Sequence, residues 1–286
     1  MYRRLLVPLD GSRLAESVLP VAERLGQICQ ATVILLHVLE RGAPTTVHGQ
    51  RHLCAREEAD AYLQTSAERL RVQGISVETH THEVPEGDVS RSIATHVRET
   101  EADLIVLCTH GSGGMRDLLF GNIAQQVLKR GTVPVLLVRA QPDGTSHAFM
   151  PRRVLVPLDG TAAAEAAIAP ARDLARLLGA AVHLVMVVAT PGTMRGEQQL
   201  LGQVMPATAR AALDLEETEA CDYLDETAGR FRSAGVSVTT EVRRGDTTSA
   251  LADEAAEPGV GLIVVATHGR AGVQAIWTGS VTARLL

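Results

Sequence analysis

Two spacings of apolar residues alternate along this chain. Short, nearly unbroken apolar runs occur at Leu5–Leu9, Val33–Val38, Leu104–Cys108 and Val133–Val138. A run of that length, bounded by turn residues, predicts a strand buried on both faces. Between the runs, apolar residues recur every three or four positions, which predicts amphipathic helices. Leu14, Val18, Leu25 and Ile28 mark one helix, with Ser12 placed to cap it and Pro20 predicting a kink or break inside it. Ala59, Tyr62, Leu63, Ala67 and Leu70 mark a second over Arg56–Gln73. Val89, Ile93 and Val97 mark a shorter third, and Asn122–Lys129 a fourth. Ile75–Val84 is strand-like but more polar, which suits a sheet edge. Strands alternating with helices of this size predict a parallel sheet with helices on both faces.

The pattern then repeats. Arg3-Arg-Leu-Leu-Val-Pro-Leu-Asp-Gly-Ser12 recurs as Arg152-Arg-Val-Leu-Val-Pro-Leu-Asp-Gly-Thr161. Ala31–Val38 is answered by Ala180–Val187, Gly74–Val77 by Gly235–Val238, and Leu104–Gly111 by Leu262–Gly269, in the same order. Four matches in register indicate a duplication. The fold class is therefore α/β, as two tandem doubly wound parallel-sheet domains, at 1–140 and 151–286. Residues 141–150, with Gln-Pro-Asp-Gly-Thr-Ser-His within them, form the linker. Asp159 follows Asp10 by 149 positions and Gly235 follows Gly74 by 161, so about a dozen extra residues enter the second copy. They fall in Thr190–Ala209 and read as a surface loop. The counterpart of Val133–Val138 would begin near position 291, past Leu286, so the second domain is expected to lack its last strand.

Composition narrows the ligand. Aromatic residues are 2% of the chain, too few to line a base-stacking groove, and the net charge of -6 offers no footprint for a nucleic-acid duplex. Nucleic acid is excluded as a partner on these grounds. No stretch approaches the ~18 apolar residues of a membrane span, and the apolar start meets Pro8 and Asp10 too soon for a secretory segment. Cys29, Cys54, Cys108 and Cys221 form no CxxC pair and suit reduced thiols. These features predict a cytoplasmic protein with no membrane partner.

In open parallel sheets, ligands sit beyond the C-terminal ends of the strands, where strand order reverses. Three features of each copy fall there. The first is Asp10-Gly11-Ser12, matched by Asp159-Gly160-Thr161; its carboxylate can accept from an exocyclic amine. The second is Val38, matched by Val187, whose backbone can offer a donor and an acceptor to a base edge. The third is the loop Thr109-His-Gly-Ser-Gly-Gly-Met115 with Gly121-Asn122, matched by Thr267-His-Gly-Arg-Ala-Gly-Val273 with Gly279-Ser280. Glycines let phosphate approach the backbone, and free amides at a helix N-terminus favour an anion. Each feature alone is weak; together and duplicated they point to a nucleotide.

On these motifs both copies resemble universal stress protein domains along nearly their full length. ATP-binding members of that family carry Gly, two residues, Gly, nine residues, then Gly-Ser or Gly-Thr. The first copy reads Cys108, two residues, Gly111, nine residues, Gly121-Asn122; the second reads Ala266, two residues, Gly269, nine residues, Gly279-Ser280. The resemblance implies adenine at Asp10 and Val38 and phosphates at Gly111, Gly121 and Asn122. In the second copy it implies Asp159, Val187, Gly269, Gly279 and Ser280. It implies ATP, or ADP or AMP, as ligand in a stress-response sensor or regulator. The alternative is a dimerisation module that has lost nucleotide binding, for which Cys108, Ala266 and Asn122 speak. The family's sheet edge, here Val133–Val138 with Pro134, implies pairing of the two copies or a homodimer.

Catalysis has less support. There is no P-loop lysine, so at most weak ATPase activity is expected and no residue is assigned a catalytic role. His110, His268, Arg116 and Arg270 flank the phosphate loops, where local packing or solvation accounts for them as well. His80 and His82 face one side of a strand as two metal ligands might, but no third ligand has a supporting spacing, and exposed edge positions are expected. His48 and His52 read as solvated residues at the start of the long helix. Cys108 reads as a small buried filler. No metal site is assigned.

Overall fold

A computed structural model of the chain describes residues 2–41, 46–47, 50–51, 53–84, 89–109, 122–130, 133–139, 149–194 and 204–266. The chain divides into two compact units, with the boundary between Phe149 and Met150.

The first unit runs β1 (Arg4–Pro8), α1 (Arg13–Glu16), α2 (Leu19–Cys29), β2 (Thr32–Glu40), β3 (Thr46–Val47), β4 (Gln50–Arg51), α3 (Arg56–Val72), β5 (Val77–Val84), α4 (Val89–Glu99), β6 (Leu104–Thr109), α5 (Asn122–Arg130) and β7 (Val135–Arg139). Its sheet has the order β5-β2-β1-β6-β7, and every pairing in it is parallel. Leu5, Leu6, Val7, Ile34, Leu35 and Leu36 lie on the two central strands and are wholly buried. Helices covering both faces of the sheet explain why these strands read as continuous apolar runs. The polar strand β5 is an edge, as its composition predicts, and β7 is the other. The expected break at Pro20 also appears. α1 stops at Glu16, and α2 restarts with Pro20 in its first turn, where a missing N–H costs nothing.

The second unit repeats this plan: β8 (Arg153–Leu158), α6 (Ala162–Glu165), α7 (Ile168–Leu178), β9 (Ala181–Val188), α8 (Pro206–Arg232), β10 (Val238–Arg244), α9 (Thr247–Ala255) and β11 (Val260–Ile263). Among the described residues its sheet has four parallel strands in the order β10-β9-β8-β11. The second sheet therefore has one strand fewer than the first, with residues 267–286 outside those described.

One expectation fails in the second unit. Thr190–Ala209 is not a loop throughout, because α8 begins at Pro206 and extends over 27 residues against 17 in α3. Ala209 and Leu213 on the added turns bury against Met194, so part of the insertion continues the helix and seals its own small apolar cluster. Gly- and Pro-rich composition hid this, since Pro at a first helical position starts a helix as readily as it ends one. His48 and His52 lie outside the described residues. The long helix begins at Arg56, the start its periodicity predicts, after the antiparallel pair β3–β4.

Candidate functional site

The reversal point lies between β1 and β6, since β2 follows β1 on one side and β6 returns on the other. Asp10 leaves the end of β1 and Gly11 takes φ +85°. Gly160 takes φ +75° at the same place after β8. The left-handed backbone turns the chain sharply into α1 and α6, and a side chain is strained there.

Each turn is locked by its own residues. Ser12 N donates to Asp10 Oδ1 at 2.9 Å, and Ser12 Oγ caps α1 by accepting from Ala15 N at 3.1 Å. Thr161 N donates to Asp159 Oδ1 at 2.9 Å, Thr161 Oγ1 donates to the same oxygen at 2.6 Å, and Thr161 Oγ1 accepts from Ala164 N at 3.2 Å. In both units one carboxylate oxygen is thus held by the turn, which fixes where the other points. Asp10 is half-buried and Asp159 exposed.

The backbone of Val38 faces the same crevice, and strand geometry says why. In a parallel ladder, alternate residues direct both their N–H and C=O to the same neighbour. Thr32 N donates to Arg3 O and Leu36 O accepts from Leu9 N at 2.8 Å, so the even-numbered residues of β2 face β1. β1 ends at Pro8, paired with Leu36, while β2 runs on to Glu40. Val38 therefore turns a donor and an acceptor to the space past the end of β1. In the second unit Ala181 N donates to Arg152 O, and β8 ends at Leu158 opposite Met186. Val187 faces the equivalent space by the same parity. The sequence placed both residues at the strand end; the ladder shows which way their amides look.

The two crevices are lined differently. His37 is wholly buried and its Nδ1 lies 2.7 Å from Leu9 O, tying β2 to the residue just before Asp10. Met186 holds this position in the second unit and cannot make that bond. A Cβ on Gly11 would lie 2.9 Å from Leu53 Cδ1, so Leu53 covers the first turn. At Gly160 the nearest side-chain atom to such a Cβ is Met186 Cε, at 4.0 Å. Cys108 is buried at the end of β6 with its Sγ 3.4 Å from Ser17 Oγ, in keeping with the filler role read from its spacing. None of the four cysteines is in a disulfide. The predicted phosphate-loop residues Gly111, Gly121, Gly269, Gly279 and Ser280 lie outside the described residues, as do His110, His268, Arg116 and Arg270. Asn122 is described as the first residue of α5.

α3 and α8 carry matching tyrosines, Tyr62, which the sequence places on the apolar face of its helix, and Tyr223, which the sequence does not single out. Burial, then the nearby Glu16 and Asp10 carboxylates, push the Tyr62 phenol above its usual range. The counterpart Tyr223 is raised by burial and by Glu165, to which its Oη donates at 3.3 Å. Arg69 and Arg230 complete matching ion pairs with Glu16 and Glu165, at 3.3 and 3.2 Å.

Two further clusters were not foreseen. His80 and His82 are half-buried rather than exposed, because His96 of α4 packs against both rings, with centroids 5.9 and 4.8 Å away. In the second unit His183 of β9 meets Glu241 of β10 and Glu254 of α9. Neither triplet has a sequence signature, since each joins residues from separate elements.

The architecture is that of a doubly wound α/β domain, built twice, with a reversal point in the first sheet between β1 and β6 and in the second between β8 and β11. The universal stress protein family model matches residues 1–139 and again 150–286. The chain belongs to the universal stress protein family. It is 24% identical to a universal stress protein of Mycolicibacterium smegmatis over 98% of this chain and 92% of that one. It is 27% identical to universal stress protein YxiE of Bacillus subtilis over 49% of this chain and the whole of that one. A crystal structure of a Pseudomonas aeruginosa protein described as a putative universal stress protein superposes with a TM-score of 0.66 at 17% identity, covering 99% of this chain and 89% of that one. Among the described residues no helix is long and apolar enough to cross a membrane.

Proposed function

We propose that the chain binds adenine nucleotide (ATP, ADP or AMP) at the end of its parallel sheets and acts as a cytoplasmic stress-response sensor or regulator. The observation that carries this reading is the crevice built twice. An aspartate held by its own turn stands beside a backbone donor and acceptor left facing open space by the shorter strand. That is the hydrogen-bonding complement of an adenine edge: Val38 N–H and C=O for the ring, and the outer oxygen of Asp10 for an exocyclic amine or ribose hydroxyl. Asp159 and Val187 offer the same in the second unit. The phosphates belong at Gly111, Gly121 and Asn122, and at Gly269, Gly279 and Ser280. The sequence carries no P-loop lysine, so hydrolysis is expected to be slow or absent.

Calorimetric titration of the full chain tests this. Binding of ATP, ADP or AMP that weakens about 10- to 100-fold in Asp10→Ala, in Asp159→Ala, or in both is the expected outcome, the loss matching one charge-assisted hydrogen bond. No binding of any of the three nucleotides overturns the reading.

Leu53 across the Gly11 turn supports a second reading for the first unit, a docking module without nucleotide. Its surface would be the edge strand β7, whose Val135, Leu136, Leu137 and Val138 are only half-buried. Pairing there with another chain or with the other copy would cover them. Sedimentation showing a strict monomer, together with nucleotide bound to the first unit, overturns this second reading.

A further inference from the structure

We propose that the second unit holds a divalent transition-metal ion, best matched by Zn²⁺, between His183, Glu241 and Glu254. The site lies under α9, on the sheet face away from α8, and it is independent of the nucleotide reading.

Thr239 Oγ1 donates to Val182 O at 3.5 Å, so its lone pairs are free to accept from His183 Nδ1 at 2.8 Å. In the tautomer with its proton on Nδ1, His183 offers the Nε2 lone pair as a ligand; in the other, Nε2 donates to Glu254 Oε2. Two carboxylate oxygens converge on Nε2: Glu254 Oε2 at 3.2 Å and Glu241 Oε2 at 3.6 Å. The three ligand atoms lie within 4.8 Å of one another, so a cation standing between them in place of a proton would meet all three at once. Arg243 does not fill that role. Its Nη1 meets Glu241 at Oε1, 3.1 Å away, and its Nε meets Glu254 at Oε1, 3.3 Å away. It holds the outer oxygens and turns both inner ones toward His183.

The spacing and chemistry suit zinc. Bonds of 2.0–2.2 Å in a tetrahedron put neighbouring ligand atoms ~3.4 Å apart, and the two separations to Nε2 bracket that value. One imidazole and two carboxylates form a mixed nitrogen and oxygen set that Zn²⁺ accepts, with the fourth position left to water. The Thr239 bond to Nδ1 is the outer-shell contact that orients a metal-binding histidine. His183 and Glu254 are buried, at 6% and 5% exposure, where an ion would be shielded from competing water. Entry is available from the other side, since Glu241 and Arg243 line a surface cavity of about 440 Å³ with Asp246 and Asp253. Two carboxylates against one guanidinium leave a net negative charge to attract the ion.

The first unit shows that the arrangement is particular to the second. His80 and Glu241 are each the fourth residue of their edge strand, and His96 and Glu254 each the eighth of the following helix. Where the second unit has His183, the first has buried Ile34. The first unit therefore lacks both carboxylates and the central imidazole at this place.

The full chain, stripped by chelator, is titrated with Zn²⁺ alone and separately with Co²⁺. The expected result is one tight equivalent, a tetrahedral Co²⁺ spectrum without a thiolate band, and a raised unfolding midpoint. Glu241→Gln and His183→Gln are each expected to weaken that equivalent at least tenfold, and Thr239→Val about tenfold, while His82→Ala leaves it unchanged. Glu241 is half-exposed, so Glu241→Gln decides the matter if the His183 variant does not fold. The proposal is overturned by the absence of a tight equivalent, by one that survives Glu241→Gln, or by one lost in His82→Ala instead.

Discussion

The two units differ least where the crevice is built and most where the sheet meets the helix after its polar edge strand. Asp10 and Asp159, Gly11 and Gly160, Ser12 and Thr161 repeat the same turn with the same bonds. The backbone parity of Val38 and Val187 repeats with them. Under α4, by contrast, the first unit packs three histidine rings, while under α9 the second assembles His183, Glu241, Arg243 and Glu254. Backbone geometry set by strand length and turn conformation survives wide side-chain change. A polar cluster depends on every member and can be replaced wholesale in one copy without disturbing the other.

The largest expected test of this contrast is in the cores. Phe231 of α8 and Leu70 of α3 hold the same place, eight residues after the paired tyrosines, and both are essentially buried. Phe231→Ala is expected to cost the second unit about 3–5 kcal/mol and Leu70→Ala to cost the first about 2–5 kcal/mol. Hydrogen exchange resolved by unit should show each loss confined to its own half. A loss shared equally by both halves would mean that the copies do not unfold separately.

A smaller effect should appear in alkali. Tyr62 is held protonated by burial, so its folded value lies above the unfolded value near ~10. Its contribution is complete below that value and is lost as pH rises from ~10 toward the folded one. Tyr223 is raised by the same kinds of cause, but to a smaller extent. Between pH ~10 and ~12 the first unit should therefore lose more protection than the second, and Tyr62→Phe should reverse that order, since Tyr223 still ionises. Equal loss in both units would show that the two tyrosines sit in equivalent surroundings.

The smallest effect concerns helix ends. α2 closes on Gln30 at φ +52°, whereas α7 closes on Gly179 at φ +65°. Gln30→Gly should leave the first unit slightly more stable and Gly179→Ala should destabilise the second by ~1 kcal/mol. Matched thermal melts of the two variants provide the comparison.

Much of the fold was legible in particular residues. Leu5–Leu9 and Leu104–Cys108 announced central strands because helices on both faces leave no polar side. The polar composition of Ile75–Val84 marked β5 as an edge. Pro20 marked the break before α2. Thr190–Ala209 was misread because Pro206 signals a helix start and a loop with equal force. His80 and His82 were misplaced for another reason: their partner His96 lies 14 residues beyond His82 on a different element.

The sequence by itself determined the duplication, the alternation of strands and helices, and the places where Asp10, Val38, Asp159 and Val187 fall. These follow from local periodicity and turn chemistry, which act over a few residues. Only the tertiary structure decided that β1 stops two residues short of Val38's level, so that an amide and a carbonyl face open space. It alone brought His183, Glu241 and Glu254 from two strands and a helix to one point. Such convergence depends on register and packing between distant segments, which spacing along the chain does not encode.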